Sequence, residues 1–164
     1  MEFFFAPTME GLLDAQKKMG DAADAKNKKL SNEFGAACNA HDDYIWRRVS
    51  GSFGTTSPGA VTFSTYYVCD SREDQADAIV AQTVAPILEK QVADGKLKNW
   101  GWLEHIVGGQ FRRVAIMGAA DLKSLMAARG ELVAALDDNA LADQFTEICD
   151  SHADYIWEVR SSKP

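Results

Sequence analysis

The sequence predicts an α+β protein: an antiparallel sheet with helices on one face, in the order β-α-β-β-α-β, preceded by a partial second copy of the same unit. Three observations carry this. Strand-like and helix-like patterns follow one another along residues 60–164. A Gly-Gly pair separates two apolar-aromatic runs, "LKNWGWLEHIV" and "QFRRVAIM", which signals a hairpin. The stretch "FGAACNAHDDYIW" (34–46) returns as "FTEICDSHADYIW" (145–157).

The elements follow in order. "VTFSTYYVC" (61–69) is β-branched and aromatic, which suits a strand. Ser71 starts a helix, with Glu73 and Asp74 in its first turn where acids suit the dipole. Ala76, Ile79, Val80, Val84, Ile87 and Leu88 keep helical spacing. Pro86 falls inside that pattern and is expected to kink or split the helix. The hairpin occupies 97–107 and 110–117, joined by Gly108-Gly109 in a two-residue primed turn. Asp121 opens a helix carrying Leu122, Leu125, Met126, Leu132, Val133 and Leu136. A shorter helix covers about 140–151, and "DYIWEVR" (154–160) closes the chain as a strand. This order is the ferredoxin-like split βαβ arrangement, which leaves one sheet face in need of a cover.

The doubled stretch sets the domain organisation. With His41 on His152 the offset is 111 residues, and seven of thirteen positions agree, including Cys, His, Tyr and Trp. Upstream, Leu30 falls on Leu141 and an apolar strand "FFFA" (3–6) on "VAIM" (114–117). Residues 1–50 therefore read as a partial β-α-β repeat, 51–59 ("GSFGTTSPG") as a linker, and 60–164 as the complete repeat. The strand, helix and strand that should precede the first copy have no counterpart. The chain is a fragment, or another chain completes the copy, or the strand order differs.

On this element order and duplication, the whole chain resembles the dimeric α/β-barrel superfamily, internally duplicated. There, two ferredoxin-like units place their open sheet faces together, as two chains or one duplicated chain. The resemblance implies antiparallel sheets packed face to face and a homodimer. It also implies kinship with cofactor-free monooxygenases of the antibiotic-biosynthesis type, with haem-degrading or haem-binding members, and with members of no assigned activity.

Composition narrows the partners. The chain has 164 residues, 46% hydrophobic and 25% charged, with a net charge of −7. That acidity argues against nucleic acid or an anionic membrane, since phosphate binding needs a basic face. No apolar run of about 18 residues exists to span a membrane. Cys38, Cys69 and Cys149 show no metal-ligand spacing and leave one cysteine over, so reduced thiols and a cytoplasmic location are expected. No metal site and no cofactor are expected.

The hairpin register predicts Glu104 opposite Arg113, His105 opposite Arg112 and Trp102 opposite Ala115. Alternation then sorts the faces. Trp100, Trp102, Glu104, Ile106, Phe111, Arg113, Ala115 and Met117 share one face, and Leu103, His105, Arg112, Val114 and Ile116 the other. The plain aliphatics of the second set are expected under the helices, so the first set is expected to line the open face. There, Trp100, Trp102, Glu104, Arg113 and Met117, with Tyr66, form either an aromatic ligand pocket or an interface core. Which face takes Tyr155 and Trp157 is left open. Phe145 and Cys149 read as core, and His152 as a buried or half-buried helix end bonded to a backbone group or to Asp154. Phe34, Cys38 and His41 take the same reading. His105 is the candidate lone acid or base, where the Arg112 cation favours neutral imidazole.

Three functions are consistent with this pattern. The first is a small-molecule-binding protein that takes a hydrophobic or aromatic ligand. The second is a cofactor-independent monooxygenase-like enzyme acting on an aromatic substrate. The third is a haem- or metal-binding protein using some of the three histidines, His41, His105 and His152.

Overall fold

The computed structural model describes residues 5–38, 42–52, 54 and 57–161. They fall in two compact units, Met1–Asp42 and Asp43–Pro164. The expected first strand lies half outside the described residues, and Phe5 and Ala6 are irregular.

The first unit is one long helix, α1 (Met9–Ala37), capped by the Thr8 hydroxyl on the Gly11 amide. It breaks at Asn27 (φ −161°, ψ 79°), whose side chain then accepts from the Leu30 amide at 3.1 Å and caps the second segment. It closes at Cys38, whose amide donates to the Phe34 carbonyl at 2.8 Å. No α1 residue is buried. Phe34 is 65% exposed and Cys38 is exposed and free, so the expectation of core positions there is corrected. His41 lies outside the described residues.

The second unit runs β1 (Ile45–Ser52), β2 (Val61–Val68), α2 (Glu73–Ala93), β3 (Asn99–Val107), β4 (Arg113–Ala119), α3 (Leu122–Leu136), α4 (Ala140–Ile148) and β5 (Ser151–Glu158). The sheet order is β1-β3-β4-β2-β5, with every pair antiparallel. The last four strands of that order are the ferredoxin-like arrangement. β1 adds a fifth strand on the β3 edge, inside the complete unit's sheet.

Helix α2 is not split at Pro86. Val80, Ala85 and Leu88 on either side of the proline are buried against the sheet, and this packing outweighs one missing backbone bond. Asp121 caps α3 by accepting from the Ser124 amide at 2.8 Å, and Asn139 caps α4. α4 ends at Ile148, three residues early, because Cys149 closes it through the Phe145 carbonyl at 2.8 Å. β5 can therefore begin at Ser151, and His152 sits exposed on a strand instead of at a buried or half-buried helix end, 3.6 Å from Asp154. Cys69 and Cys149 are joined in a disulfide, which corrects the expectation of reduced thiols at these two positions. The bond ties the end of β2 to the end of α4, beside Ala76, Ile79 and Ile148.

The two doubled stretches share local geometry. The α1 break at Asn27 falls on the position matched to Asp138, which takes φ +56° between α3 and α4. The backbone at Cys38 (φ −118°, ψ 62°) and Cys149 (φ −115°, ψ 74°) is nearly the same. Tyr44 stacks on Trp46 at 5.2 Å, as Tyr155 stacks on Trp157 at 5.4 Å.

Candidate functional site

The hairpin pairs Glu104 with Arg113, Leu103 with Val114 and Trp102 with Ala115, the register read from the Gly-Gly pair, but β3 ends at Val107 and β4 begins at Arg113, so a five-residue connection replaces the expected two-residue turn. The faces are the reverse of those expected. Trp100, Trp102 and Met117 pack beneath the helices with Val80, Leu88, Leu125 and Ala128. The pocket expected beside these tryptophans is filled by helix side chains.

Arg113 belongs to that buried layer, with its side chain 3% exposed. Its guanidinium donates to both Asp77 oxygens at 2.8 and 2.9 Å and to Glu73 at 3.2 Å. Trp102 Nε1 donates to the same Asp77 at 2.7 Å. Burial opposes the charge on Arg113, but Asp77 and then Glu73 outweigh it and hold its pKa above the ordinary value. Glu104 does not bond Arg113; it accepts from Arg47 of β1, its partner on the other side. The signal that could have fixed the face is Glu73 and Asp77 themselves. They stand four residues apart on the stripe of α2 that carries Ala76 and Val80, and half-buried acids require a buried cation.

The uncovered face carries Tyr66, Leu103, His105, Val114 and Ile116, with Trp46 from β1 and Tyr155 and Trp157 from β5. Leu103, Val114 and Tyr66 form a floor under Trp46, Phe111 and Ile116. The rings are continuous. Trp46 lies 6.0 Å from Tyr66; Tyr66 lies 5.5 Å from Phe111 and 5.7 Å from Tyr155. Tyr44 lies 6.0 Å from Phe111 and rests on Gly108. A Cβ at Gly108, where φ is +144°, would stand 2.3 Å from the Tyr44 ring, so the turn needs glycine for both shape and space. Burial, then the nearby Tyr155, pushes the Tyr66 phenol up to about 12 and keeps it neutral.

His105 joins this face rather than the helix side. Its ring lies 6.1 Å from Tyr44 and 6.0 Å from Trp46. Arg112 Nη1 stands 2.9 Å from His105 Nδ1, while Arg112 Nε donates to Glu73 at 2.6 Å. His105 Nε2 and Trp157 Nε1 are buried polar atoms without a hydrogen-bond partner. Of the residues expected to bind a ligand, the structure brings Tyr66 to the uncovered face, where it also places His105, the candidate acid or base. Trp100, Trp102, Arg113 and Met117 lie under the helices, and Glu104 stands with Arg47. Phe111 is on the open face as expected; sequence reasoning missed Trp46 and the union of the two Tyr–Trp stacks in one surface, since β1 was not expected in this sheet. Among the described residues, no cluster of three or more His, Cys, Asp or Glu could hold a metal ion, and no helix is long and apolar enough to cross a membrane.

Fold and site together define a ferredoxin-like α+β protein with an aromatic sheet face opposite α2, α3 and α4. No protein-family model matches the chain, and no curated protein matches it in sequence. Two solved structures are similar to it. SnoaB, a cofactor-independent oxygenase from Streptomyces nogalater, has 15% identity over 65% of this chain and 98% of its own, with a TM-score of 0.49. LmHde, a heme-degrading enzyme from Listeria monocytogenes, has 10% identity over 69% of each chain, with a TM-score of 0.41.

Proposed function

We propose that the protein binds a small planar aromatic molecule on the aromatic sheet face. The observation that carries this is the continuous set of rings around a buried, unpartnered His105 Nε2. The His105 ring packs edge-on between Tyr44 and Trp46 at the margin of this set, where a ligand stacked on the rings would lie beside it. Stacking on the neighbouring rings adds about 0.5–1.5 kcal/mol per pair beyond area burial. Titration with 1-naphthol, followed by tryptophan fluorescence, tests the reading. Saturable quenching that weakens in Tyr66→Ala supports it; no quenching up to the solubility limit of the probe removes it.

The same face is proposed to close against its counterpart on a second copy. Tyr155 stands 44% exposed on this ring surface, and a two-fold axis lets the patch cover itself. Light scattering should give a dimer that Tyr155→Glu converts to monomer; a monomeric parent protein would refute the pairing. The paired helix breaks, caps and Tyr–Trp stacks support an internal duplication of residues 1–48 and 112–159. A cytoplasmic location is proposed; recovery of the protein in the cytosolic fraction would support it, and recovery from an oxidising compartment, where the Cys69–Cys149 bond is at home, would refute it.

A cofactor-independent monooxygenase is the second reading, favoured by His105 among rings that would hold a phenol. Consumption of oxygen with phenolic substrates, lost in His105→Ala, would support it. Turnover unchanged in that variant would take His105 out of the reaction.

A further inference from the structure

We infer that Arg112 and Glu73 are positioning residues that fix His105 as a hydrogen-bond donor, with its proton on the buried Nε2, in a ring held beside Tyr44 and Trp46. The inference rests on the binding reading above for its purpose, but not for its geometry. A guanidinium has only donors, so at 2.9 Å the Arg112 Nη1 group leaves His105 Nδ1 no role but acceptor. A ring that accepts at Nδ1 is neutral and carries its proton on Nε2. That nitrogen is the buried atom without a partner.

Arg112 is itself held. Its Nε donates to Glu73 Oε1 at 2.6 Å, and Glu73 Oε2 accepts from Arg113 at 3.2 Å. Arg113 is locked by Asp77, which also accepts from Trp102. A chain of hydrogen bonds therefore runs from the buried layer under α2, past the hairpin end of the sheet, to the imidazole on the opposite face. The backbone keeps the two ends in step: the His105 amide donates to the Arg112 carbonyl at 3.1 Å, and the Arg112 amide to Tyr67 at 2.8 Å. The consequence is chemical. The group that meets His105 must bring an acceptor, such as a phenolate or carbonyl oxygen. The same tautomer denies Nε2 the free lone pair that an axial haem ligand would need.

Long-range proton–nitrogen correlation of the histidine rings tests this in the free protein at pH 7.5, with His105 assigned by its loss in His105→Gln. We expect the Nε2–H pattern in the parent protein, a mixture of tautomers in Arg112→Met, and a partial shift toward that mixture in Glu73→Gln. Arg112→Lys, which keeps the charge, should fall between parent and Arg112→Met. A parent spectrum of the Nδ1–H form or of a rapidly averaged ring would overturn the inference, as would an Arg112→Met spectrum like that of the parent. In 1-naphthol titrations, Arg112→Met should raise Kd in proportion to the Nε2–H population it loses, about twofold for an equal mixture, with a further rise on adding His105→Ala. If 1-naphthol fails to bind the parent, the binding reading falls while the tautomer spectrum still decides this inference.

Discussion

At the scale of single residues, the buried Arg113–Asp77 pair shows why one face of the hairpin went under the helices. Both sets of hairpin side chains are apolar enough to be covered, so alternation sorts them without saying which is inside. The choice is made by α2, whose Glu73 and Asp77 meet Arg113 as it is buried. Removing one partner leaves a buried charge without compensation. Asp77→Asn should therefore lower the unfolding free energy by about 3 kcal/mol in urea denaturation, with Trp102 emission altered as well. The two neighbouring tyrosines make a second prediction. Burial pushes both Tyr66 and Tyr67 up to about 12, above the ordinary phenol value near 10. Their neutral forms thus stabilise the fold below pH 10, and that contribution is lost as the pH rises to about 12. Thermal midpoints should fall steeply across this window, and less steeply in Tyr67→Phe.

At the scale of elements, the hairpin was the most legible part of the chain, because two glycines between apolar runs leave one register. The order of the later elements was legible for the same local reasons: Asp121 as a cap, β-branched residues in β2, helical spacing in α2. What was not legible is long-range. Cys69 and Cys149 stand 80 residues apart, and three cysteines do not declare which pair is bonded. Nor does the doubled motif say where its first strand goes. β1 takes the β3 edge while its counterpart β5 takes the β2 edge, so one motif marks both rims of the sheet. The bond from β2 to α4 closes a long loop, and its reduction should cost about 4.5 kcal/mol in the chain-entropy account. Denaturation with and without dithiothreitol measures this; an unchanged midpoint would mean that the thiols are not joined in solution.

At the scale of the molecule, the sheet separates two environments. One face is sealed by α2, α3 and α4 around Trp100 and Trp102. The other is a ring surface with an imidazole at the hairpin end, on the side away from α2, α3 and α4. A cleft at the far end of the sheet, beside Ser57–Thr62, Asn99 and Gly118, has Lys98 as its one charged lining group and offers no comparable chemistry. The central claim is that ligand binding belongs to the aromatic face, and calorimetric titration of 1-naphthol into Trp46→Ala and Trp102→Phe tests it most directly. The account predicts at least a tenfold loss of affinity in Trp46→Ala and a change of less than twofold in Trp102→Phe. Full affinity in Trp46→Ala, with loss in Trp102→Phe, would contradict it.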